Sequence, residues 1–230
     1  MKIVLLAGLL PCAILLYLIY QKDTIEKEPT NLLVKLILLG CASAIPAIIL
    51  EMVGGYALSA LGVQDGTMAF YLLENFLVVA LAEEGCKKFM LRIGSWNDPA
   101  FNYVFDGVVY AVCVTLGFAG LENVGYILSY GIEVALIRAL AAIPLHCICG
   151  IFMGHAYGLE KAAALRGQTK DASIYRVMSL LIPVLIHGFY DFAASVGDEI
   201  FLYIWLAFIV VIDVFAIRAV LRYSREDRPI

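Results

Sequence analysis

The sequence is short of charge. Only 16% of its 230 residues are Asp, Glu, Lys or Arg, against about a quarter in soluble domains. No polar block is long enough to form a separate soluble domain, and a net charge of -4 points to no nucleic-acid partner. There is no His-Glu-x-x-His helix, and no second half echoes the first as the repeats of many carriers do. Six cysteines are present, but Cys12, Cys41, Cys113, Cys147 and Cys149 fall in apolar runs and Cys86 in a charged cluster. Cys147-x-Cys149 has no loop ligand beside it, so these thiols read as small buried hydrophobes rather than a metal site.

What the chain has is apolar length. It is 63% hydrophobic with a mean hydropathy of +0.90, and apolar runs long enough to cross a bilayer recur throughout. The runs predict an all-α, polytopic helical bundle of about seven spans, at 3–20, 32–62, 67–92, 104–129, 133–159, 174–196 and 199–221, forming one integral membrane domain over 1–230. The first run reads as a span rather than a signal peptide: only Lys2 precedes it, and Leu9-Leu10-Pro11-Cys12 lacks the small residue expected before a lipoprotein cysteine. The second is too long for one simple crossing, and Gly54-Gly55 with Glu51 suggests a break or an interfacial tail.

Lys and Arg alternate completely between the connections. Lys22 and Lys27 follow span one, Lys87, Lys88 and Arg92 end span three, Lys161, Arg166, Lys170 and Arg176 follow span five, and Arg218 to Arg228 end the chain. The connections near 63–66, 130–132 and 197–198 carry no basic residue. The positive-inside rule therefore places the N-terminus outside and the C-terminus in the cytoplasm, a parity that seven spans satisfy.

Three ionisable clusters interrupt this apolar background: Glu83-Glu84-Gly85-Cys86-Lys87, Phe118-x-x-x-Glu122 and His187-x-x-x-Asp191. A charged side chain at mid-membrane costs about 2.5–3.5 kcal/mol even on the mildest scales. Scattered burial would multiply that cost, so Glu83, Glu84, Glu122, His187 and His146 are expected to converge on one water-filled cavity. Glu83 and Glu84 point about 100° apart, so at least one faces neighbouring helices. Lys87 is one turn from Glu83; its ammonium is expected against Glu83 while its stem snorkels toward the cytoplasmic face. On that placement Glu84 escapes the cation and is the better general base. Gly117, Gly120 and Gly125 around Glu122 would permit close helix approach. Asp191, one turn from His187, could orient the imidazole, support a metal from outside its shell, or be a ligand itself. His155 lies about 180° round the helix from His146 and reads as interfacial. Glu51, Glu74, Asp106 and Asp213 are weaker candidates.

Taken in order along successive spans, Glu-Glu-x-x-Lys, Phe-x-x-x-Glu and His-x-x-x-Asp resemble the motif set of the PrsW family of bacterial intramembrane proteases, relatives of the CAAX prenyl proteases. The likeness extends to Lys22-Asp23…Glu28-Pro29, Asp106-Gly107-x-x-Tyr110, Leu116-Gly117-Phe118-Ala119-x-Leu121-Glu122-Asn123, Arg138-Ala139-Leu140 and His187-Gly188-x-Tyr190-Asp191-Phe192. The prenyl proteases have histidine where Glu122 stands, so their residue roles do not carry over unchanged there.

The resemblance implies proteolysis of a membrane-tethered regulatory protein, with the first, extracytoplasmic cut in an anti-sigma factor freeing a sigma factor in a stress response. Residue chemistry and the resemblance together make Glu83, Glu84, Glu122, His187 and Asp191 the expected catalytic set, supported by Lys87, Phe118, Asn123 and Arg138. Either glutamate activates water, while Glu122 and His187 bind a divalent metal such as zinc or hold the water and oxyanion; His146 completes a three-ligand set if zinc is present. The rival reading is a proton-coupled transporter or channel, because intramembrane Glu, His and Asp also build proton relays.

Overall fold

A computed structural model describes residues 2–230. Its helices are α1 (Lys2–Lys22), α2 (Thr30–Ala60), α3 (Met68–Leu73), a π-helical stretch (Glu74–Ala80), α4 (Leu81–Ser95), α5 (Asp106–Tyr130), α6 (Val134–Leu140), α7 (Ala142–Leu165), α8 (Thr169–Ser195) and α9 (Glu199–Arg225). Grouped by continuity, α3 to α4 form one broken element and α6 with α7 another, so the helices fall into seven elements against the about seven spans expected. Six of them are long and apolar enough to cross a membrane. The exception is the α3–α4 pass, which carries Glu83, Glu84, Lys87 and Lys88. The chain is a multi-pass membrane protein.

Of the break or interfacial tail expected at Gly54-Gly55, the break does not occur. α2 runs unbroken through both glycines, extending about 46 Å at about 1.5 Å per residue. Gly54 is there for packing: a Cβ on it would lie 2.6 Å from the Val78 side chain, whereas one on Gly55 meets nothing.

α5 is the axis of the bundle. Val108 to Val114 are fully buried, and α1, α2, α4 and α7 pack around it. Small residues make this possible. A Cβ on Gly117 would lie 2.2 Å from the Ile37 carbonyl oxygen of α2, and one on Gly40 of α2 would lie 2.1 Å from that of Val114. On the other side Gly150, Gly154 and Gly158, one turn apart on α7, press against Thr115, Gly107 and Val104. Such small-residue seams replace the hydrophobic drive that lipid cannot supply between helices. Of the three glycines expected to serve close approach, Gly117 and Gly120 do so, and Gly125 faces open space. α9, by contrast, buries only Ala216 and Val220; its exposed Ile, Leu, Val and Phe residues form a lipid-facing surface.

The basic helix ends gather at one face of the bundle. There Lys35 donates to the Gly94 carbonyl (2.8 Å), Lys161 to that of Phe101 (2.8 Å), and Arg92 and Arg176 both bind Glu160 at 2.8 Å. The C-terminal tail docks on the same face: Val104 donates to the Arg228 carbonyl, and Asp227 accepts from the Phe105 amide.

Backbone-to-backbone contact at the α5–α7 seam leaves no room to relax. Gly154→Ala, whose Cβ would stand 2.3 Å from the Gly107 oxygen, is expected to lose about 1–3 kcal/mol of stability as overpacked cores do. Gly125→Ala, with nothing in its way, is expected to hold or raise stability. Unfolding in detergent measures both; equal stability of Gly154→Ala and the parent would show that the seam is not tight.

Candidate active site

Two irregularities bring the polar side chains together. The π-helical stretch inserts a wide turn, of the kind found often at functional sites, and thereby rotates everything after it in α4. It presents Glu83, Glu84 and Lys87 to α5, α7 and α8. The second irregularity is the α6–α7 break at Ala141 (φ -124°, ψ -61°). Pro144 causes it, since it has no N–H to continue the helix and its ring crowds the preceding turn. Arg138 on α6 and His146 on α7 thus reach Glu122 from different directions.

Lys87 is the centre. Its Nζ donates to Glu83 Oε2 (2.9 Å) and Glu84 Oε1 (2.8 Å), lies 3.1 Å from His146 Nδ1, and stands 4.0 Å above the Phe118 ring. The side chain has no solvent exposure at all. The snorkelling expected of it is therefore absent: three polar partners and a ring face in the interior outweigh the pull to the interface. The cation does not spare Glu84 as expected, because Lys87 holds both glutamates.

The two histidines are arranged alike. His146 Nε2 lies 3.0 Å from Glu122 Oε2, and His187 Nε2 lies 3.1 Å from Asp191 Oδ2. Each ring turns Nδ1 inward, that of His187 to Glu84 Oε1 at 2.9 Å. The rings meet edge to face with centroids 5.2 Å apart. Carboxylate–histidine pairs of this form fix ring orientation at metal sites.

Glu122 is further held by Arg138 Nη2 (2.8 Å). Arg138 also donates to Asn123 Oδ1 (3.0 Å) and stacks 3.8 Å from the Tyr126 ring. Asn123 in turn donates to the Gly8 carbonyl of α1 (3.1 Å). The depths of Glu83 and Glu122 differ little. Glu83 stands twelve residues from the end of α4 and Glu122 sixteen from the start of α5, which leaves about 6 Å at about 1.5 Å per residue. The His146 ring and the Lys87 ammonium span it.

Glu83, Glu84, His146 and His187 can each bring one ligand atom to within 4.8 Å of the others. This four-residue group differs from the expected Glu122, His146, His187 set, because Glu122 is taken up outside the group by Arg138 and His146. Three features fit a divalent ion: two carboxylates with two imidazole nitrogens form a zinc-type donor set, Glu84 Oε2 is buried without a partner, and among the described residues five carboxylates (Glu51, Glu83, Glu84, Glu122, Asp191) face two side-chain cations (Lys87, Arg138).

A cavity of about 910 Å³ leads to this group, lined by Glu83, Glu122, Arg138, His146, His187 and Asp191. Glu84 is not on its wall; it is fully buried behind Glu83. Glu51, a weaker candidate by sequence, and Asn75, which is not among the expected site residues, both line the cavity. A polar Asn75 inside an apolar run was the available signal. His155 stays outside, stacked on Tyr223 at 3.5 Å.

A family model described as PrsW family intramembrane metalloprotease matches residues 28–217. Similar curated proteins include Protease PrsW of Bacillus subtilis (strain 168), 32% identical over 92% of this chain and 91% of that protein. Protease PrsW of Geobacillus kaustophilus is 35% identical over 80% of this chain and 76% of its own length. Protease PrsW of Halalkalibacterium halodurans is 31% identical over 97% and 98% respectively. No solved structure matches the chain.

Removing one member of a buried ion pair strands the other. Arg138→Met is expected to destabilise the protein, by less than the about 3–5 kcal/mol of a fully buried pair because both side chains keep some exposure. Adding Glu122→Gln should recover part of the loss. A double-mutant cycle read by unfolding in detergent checks this, and strictly additive effects would mean the pair is not coupled.

Proposed function

The chain belongs to the PrsW family of intramembrane metalloproteases, and we propose that it makes the first cut in a membrane-tethered regulatory protein of the anti-sigma-factor type, releasing a sigma factor. It is a peptidase of the membrane; family membership sets aside the transporter reading. The observation that carries the proposal is where the cavity opens. Its lining runs from Glu83 and His187 up to Ser129, Tyr130 and Ser195, at the ends of α5 and α8 away from the basic face. By the positive-inside rule that end is extracytoplasmic, the side on which a first cut in such a substrate has to fall.

Glu83, the glutamate on the cavity wall, is the general base: it takes a proton from water and returns it to the leaving amine. Glu84, His146 and His187 would hold the metal. Bound there, a divalent ion supplies Lewis-acid polarisation of the peptide carbonyl and of water. Glu122 and Asp191 keep the two imidazoles in position. Arg138 and Asn123 lock Glu122 to α6 and α1, and Phe118 gives the floor of the site.

Glu83→Gln and His187→Ala should each abolish cleavage of a tagged single-span anti-sigma factor in reconstituted membranes. Mass spectrometry should map the wild-type cut to the extracytoplasmic side of the substrate span. A cut on the cytoplasmic side, or undiminished turnover in either variant, would remove the proposal. A second expectation concerns Lys87, whose ammonium engages Glu83, Glu84 and His146 and has to turn away for an ion to enter. Lys87→Met should therefore bind Zn²⁺ more tightly than wild type in competition with a chromophoric chelator; weaker or equal binding would show that the ammonium does not compete.

A further inference from the structure

A second group of carboxylates lies at the basic face, away from the cavity. Asp23 and Glu28 are in the turn between α1 and α2, and Asp106 opens α5. All three are buried, at 2%, 3% and 0% exposure. Each can bring one oxygen to within 4.8 Å of the others'. No Lys or Arg among the described residues forms an ion pair with any of them: Lys27 donates to the Asp23 backbone carbonyl, and Lys161 to that of Phe101.

Hydrogen bonding leaves the group incomplete. Asp106 Oδ2 accepts from the Asn102 and Tyr103 amides at 2.9 and 2.7 Å, and Glu28 Oε2 accepts from the Tyr110 hydroxyl. Asp23 Oδ2, Glu28 Oε1 and Asp106 Oδ1 are buried with no partner. The Asp23 carboxylate takes part in no hydrogen bond with the described residues, although it is almost wholly buried beside the other two. Three unpartnered carboxyl oxygens buried together are a costly arrangement unless a proton or a cation is shared between them.

We propose that Asp23, Glu28 and Asp106 form a binding site for a hard divalent cation, Ca²⁺ or Mg²⁺, which ties the α1–α2 turn to the start of α5. The donors are all oxygen, which selects hard cations over zinc-type ions. The three unpartnered oxygens are the free ligands, and the remaining oxygens of Glu28 and Asp106 are fixed by Tyr110 and the backbone. Burial and mutual repulsion push Asp23 up to about 7 and Glu28 up to about 8, the strain that a bound cation relieves. The site joins the first two helices to the central one and lies beside the docked tail, since Asp227 accepts from Phe105, the residue before Asp106. It is independent of the catalytic reading above.

The test uses the full-length protein in detergent, stripped with chelator and titrated with Tb³⁺, which replaces hard cations and is sensitised by nearby tyrosine. Tyr110, bonded to Glu28, is the antenna. Saturable luminescence is expected, displaced by Ca²⁺ or Mg²⁺, and the more effective competitor identifies the ion. Affinity should fall at least about tenfold in Asp23→Asn and in Glu28→Gln, since affinity follows the charge count of the ligands. It should be unchanged in Glu84→Gln, which alters only the other group. Thermal unfolding should shift upward with the same cation in wild type and not in Glu28→Gln. Absence of saturable luminescence in wild type overturns the proposal, as does equal binding in both carboxamide variants or loss of binding in Glu84→Gln. If Asp23→Asn does not fold, the wild-type titration and Glu28→Gln still decide. A thermal midpoint that follows pH but ignores both cations would mean that protons, not a metal, occupy the cluster.

Discussion

An ammonium with no access to water governs this structure. A lone charge in that position would be prohibitive in a low-dielectric interior, so every element around Lys87 is committed to compensating it. Two carboxylates of its own helix, a nitrogen of α7 and an aromatic face of α5 do so. Because the partners come from three helices, the ammonium also fixes those helices against one another. His146 then carries the constraint to Glu122 and Arg138, and Glu84 carries it to His187 and Asp191. Loss of any member leaves an unpaired charge elsewhere in the chain of contacts, which couples the polar site to the packing of the bundle.

That coupling works only if the helices approach closely. Side chains of Glu and Lys have limited reach, and α5 and α7 would stand too far apart with ordinary residues between them. The glycines at 107, 154 and 158 remove that distance on one side and those at 40 and 117 on the other. The seams run alongside the polar site: Gly117 directly precedes Phe118, and Gly150 is one turn past His146. The small residues and the ionisable ones are therefore two halves of a single solution, close backbone approach for one and short charge-to-charge distances for the other.

How far this could be read in the sequence follows from the range of each interaction. Periodicity and hydropathy are local, and they located the long apolar helices and the alternation of basic ends. The polar clusters were legible because a charged residue in an apolar run has to be explained. Motif order along the spans identified the family. What escaped depends on contacts between distant segments. Nothing local distinguishes a Lys87 that snorkels from one that turns inward, because the choice is made by His146 and Phe118, fifty-nine and thirty-one residues away. Gly54-Gly55 looks like a breaker until Val78 is seen to fill the space beside it. The order of Glu83 and Glu84 relative to the cavity is set by the π-helical turn, which leaves no mark in composition. The Gly150, Gly154, Gly158 seam could have been found, as a small residue repeats there at every fourth position.

The two carboxylate groups illustrate one rule with opposite outcomes. Around Glu83 and Glu84 the chain supplies its own cation, and a charge imbalance remains after Lys87 and Arg138 are counted. At Asp23, Glu28 and Asp106 it supplies none, although Lys27 and Lys161 are both close enough to spend their ammonium groups on neighbouring carbonyls. Those carbonyls, of Asp23 and Phe101, belong to the same turn and linker that the acids brace. The lysines thus reinforce the backbone around the cluster rather than neutralise it. A carboxylate cluster braced in this way has to share protons or a bound cation, and the burial that pushes Asp23 and Glu28 up is the sign of that need.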